Sequence, residues 1–213
     1  PTTSAYMQFR LAEARQAGTP LEIRHRPVPL DSIPPVLIRA VLLAEDDRFR
    51  SHGGVDWEAL AEEVRYRGPL PPSPLIASDR AAVLEAVQHV LTNRDSVRGR
   101  STITQQLARN LYLSPDRSMV RKGQELVIAW RLEWFLSKDR ILELYLNLAE
   151  FGDGVFGVGA AAEVHFGRDV WELGRVEAAS LAATLPHPRT SNPSHNPARM
   201  EWRRDRILER LAR

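Results

Sequence analysis

A mainly α-helical fold is predicted for this chain by three observations. Apolar residues recur at spacings of three and four along most of it, cap-forming residues stand just ahead of those runs, and glycine or proline follows them. The 213 residues, 43% of them hydrophobic, can bury one substantial core, so residues 1–213 are read as a single domain. There is no internal repeat and no sustained heptad run.

The elements follow in order. Residues 5–17 form a polar helix, and LEIRHRPVPL at 21–30 alternates as a short strand that Pro27 and Pro29 confine to a sheet edge. Pro34 and Pro35 open a helix with Leu37, Val41 and Ala44 on one face, and Glu45 stands at its end. Asp56 caps the next helix, which carries Trp57, Leu60 and Val64. GPLPPSP at 68–74 breaks regular structure, and residues 78–91 make an amphipathic helix with Val83, Leu84, Val87 and Leu91. TNRDSVRGR is a second connection, and 67–98 as a whole is the least constrained part. Thr102 and Gln105 have the spacing of a capping box ahead of Ile103, Leu107 and Leu111, and Pro115 closes that helix. A long apolar helix at 118–136 includes Val120, Val127, Trp130 and Trp134. Ser137 caps a helix at 139–149, which Gly152, Gly154 and Gly157 end. Helices at 158–166 and 174–185 precede the turn-rich PHPRTSNPSHNP. Asn196 as cap and Pro197 as first residue then start a terminal helix through Leu211.

Composition narrows the chemistry. There are 29 basic and 27 acidic residues, a net charge of +2, and Lys122 and Lys138 are the only lysines. Arginine's planar fork suits phosphate. Without cysteine the chain has no disulfide, thiol nucleophile or thiolate metal site. No H-E-x-x-H spacing marks a zinc enzyme. No stretch approaches the roughly 20 apolar residues that span a bilayer, and none has the layout of a signal peptide. The chain opens on Pro1, which points to an upstream segment that was removed, with room there for a membrane anchor.

Three constellations carry chemistry. In AEDDRFRSHGG at 44–54 three acids meet Phe49, His52 and two glycines at a helix end. A helix C-terminus repels negative charge, so these acids have no evident stabilising role and are suited to accepting a proton; a solvated acidic turn is the plainer alternative. GRSTITQQLARN at 99–110 sets hydroxyls and amides at a helix start, where free N–H groups hold anions or sugar oxygens. Capping accounts for Thr102 and Gln105 but leaves Ser101, Thr104 and Gln106 unassigned. In DRSMVRKGQE at 116–125, Arg121 and Lys122 stand four and three residues before Glu125. That spacing gives surface ion pairs on a helix or, with Arg109 and Arg117, a diphosphate site.

Together these blocks resemble the peptidoglycan glycosyltransferases. The family's E-D-x-x-F-x-x-H-x-G string is met at Glu45, Asp46, Phe49, His52 and Gly54, its G-x-S-T-I-T-Q-Q from Gly99 to Gln106, and its R-K-x-x-E at Arg121, Lys122 and Glu125. ILELYLN at 141–147 and the FGDGVFGVGAAA after it are also similar. The likeness covers nearly all but 67–98, and NLAEFG is closer to the single-function members. Arg100 and Gln124 depart from the usual pattern.

The resemblance implies a lysozyme-like, bilobed helical fold that polymerises lipid II, with inversion, onto a glycan held on undecaprenyl diphosphate. Glu45 would be the base that takes the acceptor's 4-hydroxyl proton. Arg109, Arg117 and Lys122 would neutralise the departing diphosphate. Glu125 would orient those cations or hold Mg²⁺ or Mn²⁺, and no organic cofactor is expected. Asp46, Phe49, His52, Ser101, Thr102, Gln105, Gln106, Arg121 and Asn147 are the further candidates for substrate contact. His52 suits a turn more than a substrate contact, Glu143 and Asn147 suit a supporting role, and Tyr145 suits core packing. The implied partners are the lipid-linked substrates, a membrane surface and other cell-wall synthesis proteins, with the domain on the periplasmic side of the inner membrane. Leu70, Leu75 and Ile76 would touch the bilayer or cover the donor groove.

Two other readings compete. A lysozyme-like hydrolase also uses carboxylates but has no need of a diphosphate cluster. A helical nucleic-acid-binding module is suggested by the arginines, yet acids interleave with them and leave no basic stripe, so no nucleic acid is expected.

Overall fold

The computed structural model describes residues 2–70, 77–92, 101–113 and 118–213. Ten helices occur among them: α1 (Ala5–Ala17), α2 (Pro35–Glu45), α3 (Trp57–Val64), α4 (Ala77–Thr92), α5 (Ile103–Tyr112), α6 (Met119–Phe135), α7 (Lys138–Leu148), α8 (Gly157–Phe166), α9 (Arg175–Thr184) and α10 (Ala198–Leu211). Caps lie where the local chemistry puts them. Ser4, Asp56, Thr102, Ser118 and Ser137 each accept a backbone N–H of the turn they open. Removing one such oxygen typically costs about 1 kcal/mol.

The core is organised by α7, whose Ile141, Leu142, Tyr145, Leu146 and Leu148 are all buried. α5 and α8 pack on it, α6 and α1 pack on α5, and α9 is sandwiched with α2 and α10. The sheet is small. β1 (Arg24–His25) runs parallel to β3 (Val155–Phe156), which pairs antiparallel with β2 (Glu150–Gly152), in the order β1-β3-β2. Its close approach to the chain before it depends on glycine: a Cβ on Gly154 (φ +74°) would lie 2.4 Å from the Glu22 carbonyl oxygen. One on Gly157 (φ +79°) would lie 2.6 Å from that of Asn147.

The structure corrects several expectations. The strand at 21–30 shrinks to two residues, because Pro27 and Pro29 lack the N–H a longer ladder needs. The glycines at 152, 154 and 157 do more than end a helix; they build the β2–β3 hairpin. The capping box at Thr102 is only half formed, since the Gln105 side chain turns to Lys122. At the terminal helix Pro197 is the cap, and Asn196 takes a left-handed turn at φ 45°. The long apolar helix α6 is the largest surprise: Val120, Val127, Trp130 and Trp134 all face outward.

Candidate active site

Glu45 closes α2, and its side chain retains 13% exposure. Its Oε2 accepts from Gln106 Nε2 at 3.0 Å, and Arg203 Nη2 of α10 lies 3.8 Å from Oε1. Burial pushes its carboxyl above the ordinary range, while Gln106, Arg203 and Arg109 pull it back and Asp46 adds to the rise. Desolvation therefore dominates the helix-end repulsion from which proton-accepting character was expected. Gln106 is aimed by the buried Tyr145, whose hydroxyl donates to Oε1 at 3.0 Å. Burial holds that phenol well above its ordinary value, so it stays a donor.

A second centre lies on α6. Glu125 is 1% exposed, with one carboxylate oxygen bonded to Arg121 and the other to Lys122 Nζ at 2.8 Å. The surface ion-pair alternative is thus wrong for this segment: a buried carboxylate between two cations fixes their positions. Lys122 also donates to Ser101 Oγ at 3.0 Å and Gln105 Oε1 at 3.2 Å. Ser101 joins the two centres, because its backbone oxygen accepts from Gln106 Nε2 at 3.3 Å. The start of α5 thus holds Glu45 with one residue and Lys122 with two others, all within six positions of the chain.

The structure gives other expected contacts a supporting place. Asp46 is buried, with one oxygen on His52 Nε2 and the other on the Ile103 N–H, both at 2.9 Å. It therefore ties the turn after α2 to the first N–H groups of α5, a strong charge-assisted cap. Thr102 reinforces this by donating to the Gly54 carbonyl oxygen at 2.7 Å. Phe49 is buried beneath Lys138, whose Nζ sits 4.4 Å from the ring centroid; Lys138 in turn bonds Glu133, as does Thr104. Asn147 spends its amide on the Val28 backbone (2.8 Å in both directions) and on the Glu143 carbonyl. As placed, Asp46, Phe49 and Asn147 engage their polar atoms or faces within the fold, which suits a positioning role. Arg117 lies outside the described residues.

Glu125 does not fit a divalent cation, since both its oxygens already face positive charge. Asp46, His52 and Asp56 form a compact acid and imidazole group, but Asp56 is held by Arg48 and the Ala59 N–H, and Asp46 as described. Neither group is read as a metal site.

Arg203 was missed by sequence reasoning. It lies in no motif, and only the packing of α10 on α2 brings it to Glu45. That helix also sends Arg210 to the Leu43 carbonyl and to Asp47.

The transglycosylase family model matches residues 13–67 and 77–212, which include every one of these side chains. The chain belongs to the transglycosylase family. It is 40% identical to a biosynthetic peptidoglycan transglycosylase of Bordetella pertussis over 211 residues, 99% of this chain and 79% of the relative. One from Azoarcus sp. strain BH72 is 40% identical over 214 residues, covering 100% and 81%. A third, from Janthinobacterium sp. strain Marseille, is 36% identical with 99% and 81% covered. The transglycosylase match breaks only at 68–76, so residues 77–98, read from sequence as outside the likeness, belong to it.

Proposed function

We propose that this transglycosylase polymerises lipid II into β-1,4-linked glycan at the outer face of the cytoplasmic membrane. The acceptor's 4-hydroxyl oxygen attacks C1 of the lipid-linked donor from the face opposite the diphosphate. The C1–O bond to the diphosphate breaks, the configuration inverts, and the hydroxyl proton passes to Glu45. Lys122, Arg121 and Arg109 balance the charge that develops on the leaving group.

One observation carries this reading: a partly sheltered carboxylate and a lysine anchored by a buried glutamate are held by the same helix start, through Gln106 and Ser101. A hydrolase needs the first and has no use for the second. The assay is lipid II polymerisation by the parent and by Glu45→Gln, with circular dichroism as a fold check. Shortening of finished glycan, with lipid II left untouched, refutes the proposal.

The membrane side is argued from α6. Val120, Val127, Trp130 and Trp134 share one face with Gly123, Gln124 and Arg131, while both acids of the helix, Glu125 and Glu133, lie away from it. Trp134 is 84% exposed and the adjacent Phe135 76%. Two tryptophans on an acid-free apolar face match the headgroup level of a bilayer. The same helix carries Arg121 and Lys122, where a diphosphate at that level would be received. Among the described residues no helix is long and apolar enough to cross a membrane.

A further inference from the structure

We propose that Arg203 is a positioning residue for the reaction, holding the Glu45 carboxylate in its proton-accepting orientation and charge state. The inference rests on the reading of Glu45 as the base and adds the partner that makes it one.

The two oxygens of Glu45 are divided between two helices. Oε2 is taken by Gln106 of α5, and Oε1 faces the guanidinium of Arg203 on α10 at 3.8 Å. That separation is too long for a hydrogen bond but close enough for strong charge attraction. Among the described residues Oε1 accepts no hydrogen bond, so it is the oxygen left for an incoming hydroxyl. Arg203 Nε is buried with no partner of its own. An unsatisfied buried donor is unfavourable, so hydrogen bonding by Nε does not account for the placement of this side chain, whereas the pairing with Glu45 does.

The helix that carries it is firmly seated. Met200, Ile207 and Leu211 are buried on one face of α10, and Arg210, two turns beyond Arg203, bonds the Leu43 carbonyl and Asp47 at the end of α2. Two arginines of one helix thus converge on the end of another.

The charges around Glu45 can be named element by element. Asp46 and Asp47 follow it, α5 supplies Arg109, α7 supplies Tyr145 through Gln106, and α10 supplies Arg203 and Arg210. From α9, Arg175 bonds the Leu211 carbonyl, while Glu177 bonds the Gly174 N–H and Arg168. Asp47 and Arg210 pair with each other. Arg109 and Arg203 are the cations that oppose the desolvation of Glu45.

The test is the pH dependence of lipid II polymerisation by the parent, Arg203→Gln and Arg203→Lys. Losing an opposite charge at this distance moves the acidic limb of kcat upward by roughly one pH unit. Activity lost by Arg203→Gln near neutrality returns as the pH is raised, and Arg203→Lys lies between the two. A loss by the same factor at every pH, or an unchanged limb, overturns the proposal. A substrate-free readout accompanies it: the Glu45 carboxyl titration by difference infrared spectroscopy, with Glu45→Gln as the blank. Its midpoint rises in Arg203→Gln if the proposal holds and stays put if it does not. A parent that fails to polymerise lipid II, or that is indifferent to Glu45→Gln, points instead to failure of the functional reading.

Discussion

Glu45 and Glu150 are two sheltered glutamates of one chain, and they are treated in opposite ways. Glu150 is saturated: Arg10 Nε donates at 3.0 Å, the Tyr6 hydroxyl at 3.2 Å and the Gly154 N–H at 3.3 Å. Arg10 is itself buried and shared with Glu13 and Asp153, which Arg189 also approaches. Burial drives the Glu150 carboxyl up against the pull of these partners, and burial first, with that carboxylate second, pushes the Tyr6 phenol up to about 12. Among the described residues Glu45 has one hydrogen bond and a cation held at arm's length. The saturated acid pins α1 to the β2–β3 hairpin, whereas the other keeps one oxygen without a hydrogen-bond donor among the described residues. The number of donors, more than burial, separates these two carboxylates.

The contrast can be broken experimentally. Glu45→Gln is expected to lower polymerisation by about 100- to 10,000-fold, the usual weight of a general base. Its stability should move the other way. Because the folded-state value of Glu45 is raised, its contribution to stability is complete below the unfolded value and is lost as pH rises through the folded one. Glu45→Gln therefore melts no lower than the parent at neutral pH, and the two converge on acidification; thermal melts across pH decide this.

Lys122→Met should slow turnover roughly 100- to 1,000-fold by removing a preorganised cation. A pure KM effect in steady-state kinetics would show instead that this lysine serves ground-state binding. Arg10→Met leaves Glu150 buried without its main partner and should cost about 3–5 kcal/mol in chemical denaturation, with turnover per folded molecule retained. A mild loss would mean that Glu150 resembles Glu45 after all.

The double variant Trp130→Gln/Trp134→Gln should weaken flotation with vesicles of anionic phospholipid and leave polymerisation in detergent nearly intact. Equal flotation removes α6 as the docking face. The smallest effect is expected from His165, whose imidazole is held by the Phe151 carbonyl and Ser194 and whose value burial lowers. Its stabilising contribution is present above the ordinary imidazole value and lost as pH falls through the lowered one. His165→Gln should flatten that part of the stability profile.

Local chemistry made much of this legible in the sequence. Caps at Asp56, Thr102 and Ser137, the spacing of Arg121, Lys122 and Glu125, and the apolar period of α5 all act within a few residues of chain. What was hidden lies across long separations or in the nature of the surroundings. Nothing near Arg203 announces that α10 will lie beside Glu45. Asp46 and Asn147 are polar and stand among reactive neighbours, yet Asp46 spends its oxygens on His52 and the Ile103 N–H, and Asn147 its amide on the backbone of Val28 and Glu143. Trp130 and Trp134 follow a helical period as well as any core residue, and periodicity cannot say whether the apolar side meets protein or another apolar phase.

The seat of α10 also imposes an order in time. Asp47 and Arg210 are 163 positions apart, so the contact that braces the end of α2 forms only after almost all of the preceding polypeptide has been made. A nascent chain halted before residue 198 lacks both Arg203 and Arg210, so it has neither the cation beside Glu45 Oε1 nor the brace on Asp47.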